Sequence, residues 1–329
     1  MATAAEWLEG ARPRTLPTAI APVVAGTAIA IADGGARWEL ATLCLVVALG
    51  LVVGVNFAND YSDGIRGSDG EDRVGPLRLV GSGVAEPSHV EAAAFACFGV
   101  SAVAGLIITI MTGHWWFIIV GLACILAAWF YTGGSHPYGY AGLGETFVFI
   151  FFGLVAVGGT VYVQADHVGT AGWVTACVIG AMACAVLVAN NLRDIDGDRV
   201  SGKHTVATKL GHQGTRILYL VLVALACVGV IVVAALSTWW VLLGLLMVIW
   251  GIDKLVNVRH GLTVSARFYL GAFDSVALLQ GFGVVQIALG VLVLLSARHI
   301  IGALDTEPEH GAEPVTSRTE AEALTVGDA

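Results

Sequence analysis

The sequence predicts an all-α polytopic membrane protein, with about nine transmembrane helices around a central cavity and its N-terminus in the cytoplasm. Of the 329 residues, 57% are hydrophobic and only 12% are charged, whereas soluble domains average about 45–50% apolar and about 25% charged residues. The apolar residues form runs long enough to cross a bilayer, and the basic residues lie mostly on one side of those runs. This composition excludes an ordinary soluble enzyme, a disordered protein and a nucleic-acid binder.

Nine apolar runs account for most of the hydrophobic residues. In hydrocarbon only a helix satisfies the polar groups of its own backbone, so each run is predicted to be a helix. The eighth run is short and the ninth is long enough to tilt, which leaves eight or ten spans as alternatives. In chain order the runs cover residues 16–32, 40–58, 92–112, 114–131, 143–163, 171–189, 217–236, 237–252 and 268–296.

The distribution of Lys and Arg predicts the orientation of these spans. With the N-terminus in the cytoplasm, the cytoplasmic segments hold 13 of the 16 basic residues, and only Arg37, Arg298 and Arg318 lie outside. Tryptophans are found where the outer loops enter the next helix, as in an interfacial aromatic belt. These are Trp38, Trp115, Trp116, Trp173, Trp239 and Trp240.

The net charge of −9 arises mainly from the end of the chain. Residues 303–329 contain seven acids and one base and show no apolar period, which is typical of a disordered tail. We therefore predict a single transmembrane domain over residues 1–300, beginning with a short interfacial segment at 1–15. An acidic, disordered tail is predicted over residues 301–329.

Eight of the other acids lie in two short stretches, residues 60–72 and 194–198. The first stretch follows the second apolar run and the other follows the sixth, so both lie at cytoplasmic helix ends. Residues three and four apart share a helix face, and each stretch therefore forms one polar stripe with the asparagines before it. The stripes consist of Asn56, Asn59, Asp60 and Asp63, and of Asn190, Asn191, Asp194 and Asp198.

These stripes predict a magnesium site. Like charges on one face repel, and a carboxylate costs up to about 2.5–3.5 kcal/mol at the centre of a membrane span. Hard divalent cations offset this cost, and Mg²⁺ commonly combines one or two carboxylates with substrate phosphates. Two facing stripes would hold two Mg²⁺ ions that bridge a diphosphate. The candidate ligands are Asn59, Asp60, Asp63, Asn190, Asp194 and Asp198.

Basic residues flank both stripes and are candidates for binding phosphate oxygens. An equally open interpretation is that each of these bases only sets the topology. The candidates for contact with a diphosphate, including one asparagine, are Asn59, Arg66, Arg78, Arg193, Arg199 and Lys203.

At these residues the sequence resembles the UbiA superfamily of intramembrane prenyltransferases. The first motif reads Asn59-Asp60-x-x-Asp63, and the second reads Asp194-x-x-x-Asp198 and continues through Lys203. Within the superfamily the chain is most similar to the menaquinone branch. The residues that carry this similarity are 11–17 and Pro22, 59–67, 75–78 and 137–145.

One position departs from the pattern of the superfamily. Many relatives have Asp four residues after the position of Asp63, whereas this chain has Gly67 and then Asp69. The menaquinone branch shares this shift, and Asp69 is therefore a further candidate metal ligand.

The resemblance implies a reaction and a location. A Mg²⁺-dependent enzyme would transfer a polyprenyl group from polyprenyl diphosphate to 1,4-dihydroxy-2-naphthoate, releasing CO₂ and diphosphate and giving demethylmenaquinone. It would lie in the bacterial cell membrane with its active-site loops on the cytoplasmic side. The implied catalytic residues are Asp60, Asp63, Asp194, Asp198 and Lys203, and the candidates for the acceptor or prenyl pocket are Asn56, Tyr61, Tyr131, Tyr138 and Glu145.

Two alternatives stay open. The same site would serve another prenyl acceptor, such as 4-hydroxybenzoate or haem. A cation-coupled transporter also uses intramembrane carboxylates, although it predicts acids at mid-membrane and not at cytoplasmic helix ends. The sequence predicts contact with membrane lipid and no nucleic-acid partner, and it leaves the oligomeric state undefined.

Overall fold

The computed structural model describes residues 2–35, 37–67 and 77–236, together with residue 242. Within these ranges the chain is mostly helical and contains no β-strand. Short 3₁₀ turns occupy Pro13–Thr15 and Tyr138–Ala141, and a π-helical segment, Phe149–Val155, joins α6 to α7. The α-helices are α1 (Ala4–Gly10), α2 (Pro17–Ala32), α3 (Trp38–Ile65), α4 (Pro87–Thr112), α5 (Phe117–Phe130), α6 (Gly144–Val148), α7 (Ala156–Ala165), α8 (Thr170–Val200) and α9 (Val206–Leu236).

Helices cover the first seven predicted spans. Two of them, α2 and α5, are shorter apolar helices. Apart from residue 242, the predicted spans 237–252 and 268–296 lie outside the described residues, as does the predicted tail; the total of nine spans and the domain boundary at 300 stay predictions. Five helical segments are long and apolar enough to cross a bilayer: Trp38–Ile65, Pro87–Thr112, Gly144–Ala165, Thr170–Leu192 and Val206–Leu236.

Proline, glycine and a capping box define several helix ends. Pro17 and Pro87 occupy the first turns of α2 and α4, where the missing N–H of proline costs no helical hydrogen bond. Gly113 ends α4 in a left-handed conformation with a φ of 74°, which glycine adopts without the steric cost of a Cβ. Thr3 and Glu6 form a capping box for α1, so a short helix precedes the first span.

Small residues let the central helices pack closely. A Cβ on Gly153 would lie 2.6 Å from the Ala176 carbonyl oxygen, and one on Gly26 would lie 2.9 Å from the Val157 carbonyl oxygen. The π-helical segment therefore contacts α8, and α2 contacts α7, almost backbone to backbone. The buried core between α2, α7, α8 and α9 includes Ile29, Val161, Ile179, Met182 and Val230.

Both motif helices extend beyond their apolar runs. The predicted second and sixth spans end at residues 58 and 189, whereas α3 continues to Ile65 and α8 continues to Val200. The stripe residues Asp60, Asp63, Asp194 and Asp198 therefore lie on the helices themselves, at the ends opposite Trp38 and Trp173. Because α3 packs chiefly against α4 and α8 packs chiefly against α9, each motif lies on the first helix of a packed pair.

Candidate active site

A cavity of about 1420 Å³ lies among the motif-bearing ends of the helices. This volume exceeds the roughly 300–1,000 Å³ of a typical small-molecule pocket, so the cavity has room for a long substrate together with a second, smaller one. Its polar wall includes Asn56, Asn59, Asp63, Arg78, Tyr140, Asn190, Asn191, Asp194, Asp198 and Lys203. Its apolar wall includes Leu51, Val52, Val55, Phe151, Phe152 and Leu187.

The carboxylates of the two motifs converge on one ammonium group. Lys203 Nζ lies 3.7 Å from Asp63 Oδ1 and 3.9 Å from Asp198 Oδ1. Gly202, just past the end of α8, has a φ of 70°, and the Lys203 N–H donates to the Asp198 carbonyl at 2.8 Å. This turn directs Lys203 back towards the motif, so the two sequence motifs meet at one cation.

Two further groups contact Asp63. Arg78 Nη2 lies 3.4 Å from Asp63 Oδ2, and the Tyr140 hydroxyl donates to Asp63 Oδ1. The Tyr140 ring centroid lies 4.6 Å from Lys203 Nζ, within cation–π range. Burial, followed by the negative charge of Asp63, raises the pKa of Tyr140. The hydroxyl therefore remains protonated, and a hydrogen-bond donor, at physiological pH.

The asparagines of the first motif hold the surrounding backbone. Asn56 Nδ2 donates to the Ala11 carbonyl at 3.0 Å and to the Thr15 hydroxyl at 2.8 Å, which ties α3 to the segment between α1 and α2. Asn59 Oδ1 accepts a 2.6 Å hydrogen bond from the Thr132 hydroxyl, just after α5. Both asparagines also line the cavity, so this motif organises the cavity wall as well as presenting a carboxylate.

The second stripe forms another part of the cavity wall. Its asparagines and its two predicted metal-binding aspartates, Asp194 and Asp198, all line the cavity. Glu145, at the start of α6, accepts a 3.2 Å hydrogen bond from Asn191 Nδ2 but does not itself line the cavity. The structure thus places Glu145 behind the predicted pocket, where it joins α6 to α8.

Asp60 does not face the cavity with the rest of the first stripe. Its Oδ2 and Oδ1 atoms accept hydrogen bonds of 2.9 and 3.0 Å from the backbone N–H groups of Leu79 and Val80. At 3.6 residues per turn, Asp60 lies about 60° around the helix from Asp63. This offset places Asp60 at the edge of the stripe, where it meets a neighbouring loop and not the cavity.

Three other predicted site residues do not line the cavity themselves, and each contacts another protein group. The Arg66 guanidinium donates to the carbonyls of Thr132 and Gly134. Arg199 lies 3.8 Å from Asp196 in a solvent-exposed ion pair. Tyr61 stacks against Trp129 with ring centroids 6.1 Å apart. The predictions for these residues depended on neighbouring sequence positions, and the helix turn directs their side chains to other partners.

The remaining predicted residues divide into two groups. Tyr131 and Tyr138 line the cavity, with their rings edge to face at 5.5 Å. Asp69 and the side chain of Arg193 lie outside the part of the chain that the structure describes, so their assigned contacts stay predictions.

Comparison with known proteins decides the family. The model of the UbiA prenyltransferase family matches residues 19–261. The chain belongs to this family. It is 53% identical over 262 residues to the 1,4-dihydroxy-2-naphthoate octaprenyltransferase of Mycobacterium tuberculosis, covering 79% of this chain and 88% of the relative. The protein of the same name from Escherichia coli is 38% identical over 241 residues, 71% of this chain and 78% of the relative.

Solved structures of UbiA homologues share the fold. The structure of a UbiA homologue from Archaeoglobus fulgidus bound to GPP and Mg²⁺ aligns with a TM-score of 0.59 at 14% identity, over 90% of this chain and 99% of that chain. The apo structure of a UbiA homologue from Aeropyrum pernix aligns with a TM-score of 0.57 at 16% identity, over 84% and 94% of the two chains. The family match and the apolar helices together make this chain a multi-pass membrane prenyltransferase, similar to those of bacteria. This assignment excludes the transporter alternative.

Tyr140 and Arg12 line the cavity, although the sequence motifs did not reveal them as site residues. Tyr140 lies in the stretch 137–145 that carries the family resemblance, but it has no charge or motif spacing of its own. Arg12 lines the cavity in a left-handed conformation with a φ of 54°, a conformation that costs a non-glycine residue of order 1–3 kcal/mol. The sequence indicates only that Arg12 is one of the basic residues on the cytoplasmic side. Its backbone conformation and its place on the cavity wall follow from the structure.

Proposed function

We propose that this UbiA-family enzyme transfers a polyprenyl group from polyprenyl diphosphate to 1,4-dihydroxy-2-naphthoate in menaquinone biosynthesis. The observation that carries the proposal is the meeting of Asp63 and Asp198 at Lys203 in a cavity with a long apolar wall. A diphosphate needs cations and a polyprenyl tail needs an apolar surface, and one cavity offers both. The naphthoate acceptor is supported by the names of the relatives at 53% and 38% identity.

The acidic residues suit Mg²⁺ provided that the substrate completes the set of ligands. Among the described residues, no three His, Cys, Asp or Glu side chains are grouped to hold a metal ion. Asp63, Asp194 and Asp198, with the amide oxygens of Asn59 and Asn190, offer hard oxygen donors around one cavity. Mg²⁺ prefers a few carboxylates plus phosphate oxygens. We propose two ions, and bound Mg²⁺ would supply positive charge that neutralises the diphosphate.

Lys203 and Arg78 supply the positive charge of the protein itself. When the C1–O bond of the polyprenyl diphosphate breaks, its electron pair leaves with the diphosphate, and these two cations stabilise the added negative charge. Tyr140 holds Asp63 in place by donating to it. The allylic cation that remains lies near the rings of Tyr131 and Tyr138 on the cavity wall, whose π faces favour a positive charge.

The naphthoate ring then completes the transfer. A ring electron pair forms the new bond to C1 of the prenyl group, and the carboxylate leaves as CO₂ and returns its bonding pair to the ring. The product is the reduced form of demethylmenaquinone. Water would capture the allylic cation before the ring does, so the apolar wall formed by Val52, Phe151 and Phe152 serves to exclude it.

We also propose that the cavity opens on the cytoplasmic side of the bacterial cell membrane. Support comes from the two ends of the helices. The motif-bearing ends carry Arg78, Lys203 and Lys209, whereas the opposite ends carry the exposed tryptophans Trp38 and Trp115. Basic residues favour the cytoplasmic side, and tryptophan favours the interface.

A panel of acceptors tests the proposed reaction. The protein in lipid nanodiscs is incubated with octaprenyl diphosphate, Mg²⁺ and one of three acceptors: 1,4-dihydroxy-2-naphthoate, 4-hydroxybenzoate or haem. Mass spectrometry then identifies the products. We expect prenylated product from the naphthoate alone, with a mass that shows loss of CO₂, and no product after chelation of Mg²⁺ with EDTA.

The Asp63→Asn variant serves as the inactive control, because it removes the charge that meets both Lys203 and Arg78. Turnover of another acceptor in the absence of naphthoate turnover would contradict the proposed acceptor. Undiminished activity in EDTA would contradict the proposed role of Mg²⁺.

A further inference from the structure

Two acidic side chains, one on α1 and one on α3, hold the loop before α4. Residues 77–80 form this loop, and Glu9 Oε1 accepts a 3.2 Å hydrogen bond from its first N–H group. The carboxylate of Asp60 accepts bonds of 2.9 and 3.0 Å from the N–H groups of Leu79 and Val80. Asp60 is 0% exposed, so these two backbone donors bond to a carboxylate that is shielded from water.

Apolar packing closes the same loop onto α1 and α3. Leu79 is 0% exposed, and a Cβ on Gly10 of α1 would lie 2.6 Å from Leu79 Cδ1. A Cβ on Gly64 of α3 would lie 2.4 Å from Val80 Cγ1. A side chain at either glycine would have to displace Leu79 or Val80, so the absence of a Cβ at both positions allows the two helices and the loop to pack this closely.

This loop carries Arg78 to the site. Leu79 and Val80 are fixed by Asp60, and the preceding residue is thereby directed towards the cavity. The Arg78 side chain is 10% exposed, and its Nη2 lies 3.4 Å from Asp63 Oδ2. Asp60 and Asp63, three residues apart on one helix, thus contact the backbone and the side chain of the same loop.

We propose that Asp60 is a positioning residue for prenyl transfer: it holds the Leu79–Val80 backbone so that Arg78 reaches Asp63, and it ligates neither the metal nor the diphosphate. A carboxylate suits this task because both of its oxygens accept hydrogen bonds, whereas an asparagine would direct an NH₂ group at one of the two backbone donors. The role of Asp60 in holding the loop is independent of the proposed function. Only the contact of Arg78 with the departing diphosphate rests on that function.

The first test compares Asp60→Asn with Glu86→Gln in the full-length protein. Glu86 is an exposed acid at the start of α4 whose side chain makes no capping hydrogen bond, so it is the matched control. We expect Asp60→Asn to lower kcat/KM for polyprenyl diphosphate about tenfold to a hundredfold, the effect of losing a hydrogen bond to a charged group. The Mg²⁺ concentration for half-maximal activity should not rise, and Glu86→Gln should change neither value.

A second measurement follows the loop without substrate. Amide hydrogen exchange over residues 77–85, monitored by mass spectrometry, should become faster in Asp60→Asn and remain unchanged in Glu86→Gln. Because this readout needs no turnover, it is independent of the acceptor and of the proposed reaction. Gly64→Ala would displace Val80 while leaving Asp60 intact. It should give the same faster exchange and the same loss of transfer rate. If Asp60→Asn does not fold, Gly64→Ala takes its place in both tests.

A double-mutant comparison identifies the path of the effect. If Asp60 acts through Arg78, then Asp60→Asn should cause no further loss in an Arg78→Ala protein. Losses that multiply would overturn the proposal. A raised Mg²⁺ requirement in Asp60→Asn with unchanged loop exchange would overturn it as well, and would assign Asp60 to the metal.

Discussion

Tyr140 shows how a neutral side chain contributes to a charged site. Its hydroxyl donates to Asp63, and its ring centroid lies 4.6 Å from Lys203 Nζ and 5.5 Å from Arg66 Cζ. The ring thereby contacts two positive groups, while the hydroxyl holds the carboxylate that pairs with Lys203 and Arg78. A residue of this kind has no charge pattern in the sequence, and its role follows from the contacts alone.

Replacing Tyr140 by Phe removes the hydroxyl and keeps the ring. We expect kcat/KM to fall about tenfold, the value of one hydrogen bond to a charged group. Burial raises the pKa of Tyr140 above its usual value, so the hydroxyl loses its proton only as the pH rises through that higher pKa. The ratio of wild-type to variant rates should therefore be constant between about pH 6 and about pH 9.

Product formation measured across this pH range checks the expectation, with Tyr162→Phe as the control. Tyr162 lies in α7 against Trp116 and Phe117, at the opposite end of the bundle, and its hydroxyl should not affect the rate. A rate ratio for Tyr140→Phe that declined to one by about pH 9 would mean that Tyr140 ionises within the range, contrary to the prediction.

The π-helical segment between α6 and α7 lies at the boundary between the core and the cavity. Phe151 and Phe152 of this segment line the cavity. The next residue, Gly153, packs against α8, and a Cβ on it would lie 2.7 Å from Gly180 Cα. π-Helical turns are rare in proteins, and those that occur are often found at functional sites. Hydropathy does not distinguish them from α-helix, so the sequence predicted only one apolar span here.

Gly153→Ala tests whether this close approach supports the cavity. The added methyl group would overlap the α8 backbone, and we expect a destabilisation of about 1–3 kcal/mol from overpacking, together with reduced prenyl transfer. Thermal unfolding in detergent measures the first effect and the naphthoate assay measures the second. Gly159→Ala in α7 is the matched control, because its Cβ would meet nothing within 4 Å; equal melting temperatures for the two variants would contradict the prediction.

In the part of the bundle that the structure describes, the acidic motifs lie at one end and the exposed tryptophans at the other. The cavity, both motifs and the loop 77–80 share the end to which α3 and α8 lead, while Trp38, Trp115 and Trp173 are exposed at the opposite end. This division has a physical reason, since diphosphate is a soluble anion and the polyprenyl tail is apolar. A site at the boundary between water and lipid serves both parts of one substrate.

Cysteine labelling tests which end faces the cytoplasm. In a background without the native cysteines, Ser82→Cys and His167→Cys place exposed thiols at the two ends. With a membrane-impermeant maleimide, we expect His167→Cys to react in intact spheroplasts and Ser82→Cys to react only after permeabilisation. The reverse pattern would place the cavity on the outer side and contradict the orientation predicted from the basic residues.

Patterns between near neighbours were enough to predict the helices and the chemical class. Apolar runs predicted the seven spans that α2 to α9 cover, because transfer to hydrocarbon is a property of each segment. The i, i+4 spacing of Asp194 and Asp198 is likewise visible without a fold. The separation between Asp60 and Asp63 is equally short, yet their roles differ because of a loop some fifteen to twenty positions away. The backbone of this loop bonds to Asp60, whereas its Arg78 side chain bonds to Asp63.

Contacts between distant segments established the site itself. Asp63 meets Tyr140 across 77 positions of sequence and meets Lys203 across a still longer separation, and neither contact has a local signature. Such contacts depend on how closely α3, α8 and the connecting loops pack, which Gly64 and Gly153 permit by lacking a side chain. Local periodicity and hydropathy thus specify which helices form, whereas the shape of their packed surfaces specifies which of the acids, bases and tyrosines meet.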